Sequence, residues 1–155
     1  RQNCQMLDKN VHGSTSTETV KYKKGLNSPR QSELRHQHVG KLLIILFTAP
    51  WQSENTNTVY EFAKAAVEEG HKVTVFFDVD AVYNLMASQL EVGQQSPASK
   101  MAQLIGMGVE LHACSESGRL RGIDPKKNLI EGTVRSSLGR GAELMETHDR
   151  IVALG

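Results

Sequence analysis

With 155 residues, 39% of them hydrophobic and 23% charged, the chain is long enough for one domain with its own core and has the composition of a soluble globular protein. Its longest apolar run, KLLIILF from Lys41, falls well short of the roughly 20 residues needed to cross a bilayer, which argues against a membrane protein. The net charge of +1 conceals an asymmetry: residues 1–40 carry seven Lys and Arg against three Asp and Glu, and the remainder carries eleven against fourteen.

Residues 1–40 read as a basic N-terminal arm. Ser, Thr, Asn, Gln and Lys dominate it and no apolar period is sustained, so it buries too little surface to offset the entropy of ordering. The expectation is an arm that is flexible alone, or ordered only along an acidic domain. Arg1 in place of a methionine implies a chain that is processed, trimmed or incomplete, and no apolar signal core is seen. The basic run KYKK at residues 21–24 is short, and the remainder of the chain carries no basic face, so a solvated tail is preferred to a nucleic-acid partner.

From Lys41 to Gly155 the pattern changes to alternating strands and helices. KLLIILF is the first strand, of the continuous apolar kind that is covered on both faces. NTNTVYEFAKAAVEEG is an amphipathic helix, with Asn55 and Asn57 as cap candidates, Val59, Phe62, Ala63, Ala66 and Val67 as its apolar stripe and Gly70 as its stop. Val73, Val75, Phe76 and Phe77 mark a second strand that ends at Asp78 and leads into a short helix. A loop at residues 93–96 precedes a helix capped by Ser96, with Pro97 at its first position and its end near Gly106 or Gly108. VELHA alternates as a third strand, ELMETHD closes a helix begun after Gly139, and RIVALG is a fourth strand. The predicted fold is a single α/β domain over residues 41–155, with a mostly parallel sheet of four or five strands and helices on both faces.

This architecture draws attention to VELHACSESGRLRG. Reactive groups of open parallel sheets gather beyond the carboxyl ends of the strands, and Cys114 falls there. Ser115 is the candidate cap of a short helix, which would set the thiol beside unsatisfied backbone N–H groups, and Arg119 or Arg121 would add positive charge if folded back. Both effects favour the thiolate. Free cysteine is also among the most buried residue types, and position alone does not separate a reactive Cys114 from an inert one. Trp51 and Asp78, at the ends of the first two strands, and His112 complete the candidate pocket. Asp78 reads equally as a helix cap, and His112 as a residue packed beside its strand.

Other chemistry has less support. His112 and Cys114 supply two ligands, fewer than a structural zinc requires, and no Cys-x-x-Cys pair is present. The glycines of SLGRGAE and GMGVE lack the placement of a dinucleotide fingerprint and no phosphate-loop Gly-Lys-Ser/Thr occurs, so neither a metal nor an organic cofactor is expected. Cys4 lies in the arm, where a second sulfur-carrying thiol is conceivable and a framework disulfide is not expected. AVYNLM at residues 81–86 and the helix with Met101, Leu104 and Ile105 exceed what one core requires, which points to contacts between subunits.

Over residues 41–155 the chain resembles the DsrE/DsrF-like sulfur-relay proteins, which include the TusD type. The likeness lies in the opening apolar strand, VYEFAKAAVEEGHKVTVFF, the strand ending in Cys114 followed by RLRG (Arg121, Gly122), and the closing GRGAELMETHDRIVALG. The resemblance implies a cytoplasmic sulfurtransferase-like carrier that holds a persulfide on Cys114 and passes sulfur between donor and acceptor proteins without a cofactor. It also implies a homo-oligomer, trimer or hexamer, or a mixed hexamer in which some subunits lack the cysteine. The arm is a departure from the family pattern. A non-catalytic assembly subunit is the alternative function, and a small-ligand-binding α/β module is a more distant one.

Overall fold

In the computed structural model, residues 39–155 other than Pro125 are described. The run KLLIIL forms β1 (Lys41–Leu46), and its last four residues are buried because both faces of the strand are covered. α1 (Asn55–Glu68) follows, with Val59, Ala63 and Ala66 turned to the sheet and Phe62, on the flank of the expected stripe, left 41% exposed. Its N-cap is Glu54, without a side-chain cap bond. Asn55 and Asn57, the expected caps, lie inside the first turn, where Asn57 Nδ2 donates to Glu54 Oε2 at 2.8 Å.

β2 (Lys72–Phe77) leads through Asp78 into a 3-10 helix (Val79–Leu85). α2 (Pro97–Gly106) starts as its sequence predicts, with Ser96 Oγ accepting from the Ser99 amide at 3.1 Å and Pro97 at the position where a missing N–H costs nothing. β3 (Glu110–Cys114) runs directly into α3 (Ser115–Leu120). The chain then forms β4 (Val134–Ser136), α4 (Leu138–Thr147) and β5 (Arg150–Leu154).

The five strands are parallel in the order β4-β3-β2-β1-β5, so the predicted α/β architecture holds. The strand that the sequence did not announce is β4, three residues long, of which Val134 and Arg135 are exposed. The chain steps outward from β1 to β4 and then returns through α4 to the far side of β1. With right-handed crossovers, that reversal sets α4 on the face opposite α1 and α2. The α4 face is marked by His148 Nε2, 2.9 Å from Thr74 Oγ1, and by Gly141, where a Cβ would meet the Phe76 ring at 3.1 Å. Strand alternation and register then place Leu43, Ile45, Phe76, His112 and Cys114 on the α4 face, and Ile44, Val75, Phe77 and Leu111 on the other.

Ala81, Val82, Leu85, Met101 and Leu104 are buried in this core. The apolar surplus read as subunit contacts is therefore interior, since the 3-10 helix and α2 cover the sheet with those residues. Large exposed apolar side chains lie elsewhere, among them Trp51, Leu90, Val92 and Leu120.

Candidate functional site

Cys114 is both the last residue of β3 and the N-cap of α3, because strand passes to helix here with no intervening loop. It is a free thiol, 1% exposed. The Asp78 carboxylate, on the first residue beyond β2 and the same face of the sheet, lies close enough for the thiol to favour its ionised form. Asp78 Oδ1 also accepts from the Ser117 hydroxyl at 2.6 Å and from the Val79 amide at 2.8 Å. Partial burial by itself raises the Asp78 pKa, but the Ser117 hydroxyl, the Val79 amide, the Cys114 thiol and the Arg121 charge outweigh it and hold the carboxyl below its ordinary range.

Val79 has φ 50°, a left-handed conformation that a β-branched residue adopts at a cost. The reward is visible in its amide, which donates to Asp78 Oδ1 and to Ser117 Oγ at 3.1 Å. Strand end, 3-10 helix and α3 are thus joined through one carboxylate.

The expected positive surroundings of the thiol differ in several ways. Ser115 does not cap α3. It is the first helical residue, one position past the cap, and the helix has no side-chain cap bond. Arg119 is turned to Glu116, 2.6 Å from its carboxylate, and each group stabilises the other's charge, lowering the Glu116 pKa and raising that of Arg119. Arg121 folds back, but to Asp80 at 2.6 Å and to the Ser117 carbonyl at 3.1 Å. The charged side chain that the thiol influences is therefore an anion, Asp78.

His112 is buried two residues before Cys114 on the same face. Its Nδ1 lies 2.7 Å from Ser136 Oγ and its Nε2 lies 3.5 Å from the Glu110 carboxylate. Burial lowers its pKa, and the nearby charges of Arg140 and His148 act in the same direction against Glu110. Trp51 is not brought to this cluster. It has φ 66°, is 62% exposed, and lines a separate polar hollow of about 390 Å³ with Asn57, Gln94 and Lys100. Ser117 and Ser136 were not singled out from the sequence. Three-residue spacing from Cys114 into a helix would have pointed to Ser117, whereas Ser136 sits on a strand too short to show a period.

Cys114 also lies two strands from the reversal of strand order between β1 and β5, where ligands of open α/β sheets commonly bind. Among the described residues no three of His, Cys, Asp and Glu are grouped so as to hold a metal ion.

The model of the DsrE/DsrF-like family matches residues 40–154. A sulfurtransferase TusD homolog of Vibrio parahaemolyticus is 34% identical, over 64% of this chain and 86% of its own length. The sulfurtransferase TusD of Photorhabdus laumondii is also 34% identical, over 70% of this chain and 93% of its own. Among solved structures, the ychN protein from E. coli superposes with a TM-score of 0.69 at 20% identity, covering 74% of this chain and 99% of that one. A protein of unknown function from Methanobacterium thermoautotrophicum gives 0.61 at 17%, with the same coverage. These two likenesses concern the fold alone.

Proposed function

The chain belongs to the DsrE/DsrF-like family, and from that premise we propose that it is a sulfurtransferase of a sulfur relay, holding a persulfide on Cys114 and passing it between partner proteins. The observation that carries the reading is the thiol at the strand end, wired to Asp78, in a chain whose relatives are named sulfurtransferases. The chemistry is thiol–persulfide exchange. Cys114 Sγ attacks the outer sulfur of a donor persulfide, a new S–S bond forms on Cys114, the donor's own S–S bond breaks, and the proton lost by Cys114 ends on the donor thiol. No external oxidant or reductant enters, and no cofactor is needed. Asp78 orients the thiol, Ser117 and the Val79 amide hold Asp78, and Arg121 braces the loop through Asp80.

Incubation with a persulfide donor followed by intact-mass measurement tests this. The chain and its Cys4→Ser variant should each gain one sulfur atom of mass that a reductant removes, and Cys114→Ser should gain none. Loading of Cys114→Ser but not of Cys4→Ser would move the carrier to the arm.

One observation favours a second reading. At 1% exposure Cys114 is closed to solvent, as in an assembly subunit that performs no exchange. Labelling at neutral pH by a small alkylating reagent separates the two: a carrier opens locally and is labelled much faster than the domain unfolds, and a scaffold is labelled only at the unfolding rate. Either way the protein is proposed to assemble as a homo-oligomer, trimer or hexamer, or within a mixed hexamer. The support is an apolar groove of about 510 Å³ along the edge strand β5, lined by Leu42, Phe62, Ala65, Ala66, Ile151 and Val152. Light scattering should give a mass three- or six-fold that of one chain.

A further inference from the structure

His112 enters the core with one ring nitrogen unsatisfied. Its side chain is 4% exposed, and Nε2 has no hydrogen-bond partner, the Glu110 carboxylate standing 3.5 Å away. A buried polar atom left in this state is costly and calls for a reason. The neighbours supply one. Alternation puts Glu110, His112 and Cys114 on one face of β3, and Ser136, which meets His112 Nδ1 at 2.7 Å, is the register partner of Cys114 on β4. With Glu110 nearest to Nε2, the favoured neutral tautomer carries its proton there, and Nδ1 accepts from the Ser136 hydroxyl.

A thiol that is to act as a nucleophile must place its proton somewhere, and two acceptors stand near. Reference values are about 8.5 for a thiol, about 6.5 for imidazole and about 3.9 for an aspartic acid. By these reference values transfer to a carboxylate runs roughly four to five units uphill and transfer to an imidazole about two, and the fold lowers both acceptors, His112 chiefly by burial. Asp78 is further disfavoured, because Ser117, Val79 and Arg121 hold it ionised. It can orient the thiol, but it is the poorer place to leave a proton.

We infer that Ser136, His112 and Glu110 form a line that takes up the Cys114 proton when the thiolate is needed. As the S–H bond breaks, its proton passes to Ser136 Oγ while the hydroxyl proton of Ser136 passes to His112 Nδ1. The products are a thiolate and an imidazolium, with no change in net charge. The imidazolium keeps its Nε2–H toward the Glu110 carboxylate 3.5 Å away, and the positive charge now on the ring strengthens that pairing. When the donor's thiolate leaves, the proton returns to it and His112 is neutral again. The charged groups facing the ring are Glu110 on β3, which favours this state, and Arg140 and His148 on α4, which oppose it. His112 touches neither sulfur and is a positioning residue, acting through Ser136. The inference rests on the carrier reading only for the fate of the proton, and its test does not require sulfur transfer.

The test is thiolate ultraviolet absorbance against pH in the full chain with Cys4→Ser, so that Cys114 alone reports. In His112→Gln and Ser136→Ala the thiolate should appear about one pH unit higher, a tenfold loss of thiolate at a given pH below the transition. Glu110→Gln should move it the same way by less. Because His112→Gln can disturb packing, the imidazole resonance of His112 is also titrated in the otherwise unaltered chain and in Cys114→Ser, where its midpoint should shift. A thiolate onset unmoved in Ser136→Ala, or a His112 titration indifferent to Cys114→Ser, overturns the line. Failure of sulfur loading with both shifts present would count against the carrier reading alone.

Discussion

Arg119 and Arg121 share a residue type and a helix end, yet the fold treats them differently. Arg119 lies on the solvent side of α3 with a guanidinium that Glu116 occupies, both side chains being more than half exposed. Such pairs contribute little to stability because water screens them and ordering two long side chains has an entropic cost. Arg121 has a side chain 21% exposed, binds Asp80 and the Ser117 carbonyl, and adds its charge to the field that keeps Asp78 ionised. Arg119→Ala should leave both the melting temperature and the reactivity of Cys114 unchanged. Arg121→Ala should destabilise by about 1 kcal/mol, as expected for a partly buried charged hydrogen-bond pair, and should raise the pH at which Asp78 titrates. Denaturant melts and carboxyl-carbon titration by NMR would check the pair. Equal effects of the two substitutions would remove the distinction.

Among the elements, β4 and the turn before it depend on tertiary contact more than on propensity. Gly132 has φ +85°, and a Cβ added there would meet Ile105 Cγ2 at 2.9 Å. Neither the backbone nor the space admits a side chain. Gly132→Ala is expected to cost about 1–3 kcal/mol through strain and overpacking, more than a surface turn substitution. Since β4 carries Ser136, the same variant should loosen the His112–Ser136 contact, visible as faster hydrogen exchange at β4 than at β1. Uniform protection across the sheet would show that the turn does not hold the strand. α4 is anchored by different means: Ser137 Oγ accepts from the Arg140 amide at 3.1 Å, and Gly141 lets the helix approach Phe76.

At the scale of the whole fold, two buried or half-buried groups among the described residues, His112 and Asp78, have depressed pKa values that weaken the fold in acid. In the unfolded chain His112 binds a proton near its reference value of 6.5 and Asp78 near 3.8, and each binds it less readily when folded. The unfolded state therefore holds more protons as pH falls, and acid favours unfolding. The His112 contribution is complete above about pH 6.5 and is lost as pH falls through its lower folded value. Asp78 adds a second decline below about pH 4 by the same sign. The melting temperature should thus be level above neutrality and fall in acid, with the first part of the fall missing in His112→Gln. A rise in stability between pH 7 and 5 would contradict this assignment.

What the sequence determined by itself was whatever depends on local pattern. The continuous run of β1, the stripe of α1, the Ser96–Pro97 start of α2 and the arrival of Cys114 at a strand end are all written in neighbouring residues, and the family likeness rests on those same stretches. The arm at residues 1–40 falls, but for its last two, outside the described residues. Tertiary structure decided whatever depends on residues far apart in the chain. It buried Ala81, Val82, Asn84 and Leu85, added the three-residue β4, turned Arg121 to Asp80, and set Asp78 and Ser136 on either side of Cys114 at separations of 36 and 22 residues, taken from their positions. The reason is that a parallel sheet joins strand ends only after its crossovers are made. Each strand can announce its own apolar face, but its register against its neighbours is settled by how the helices pack across them.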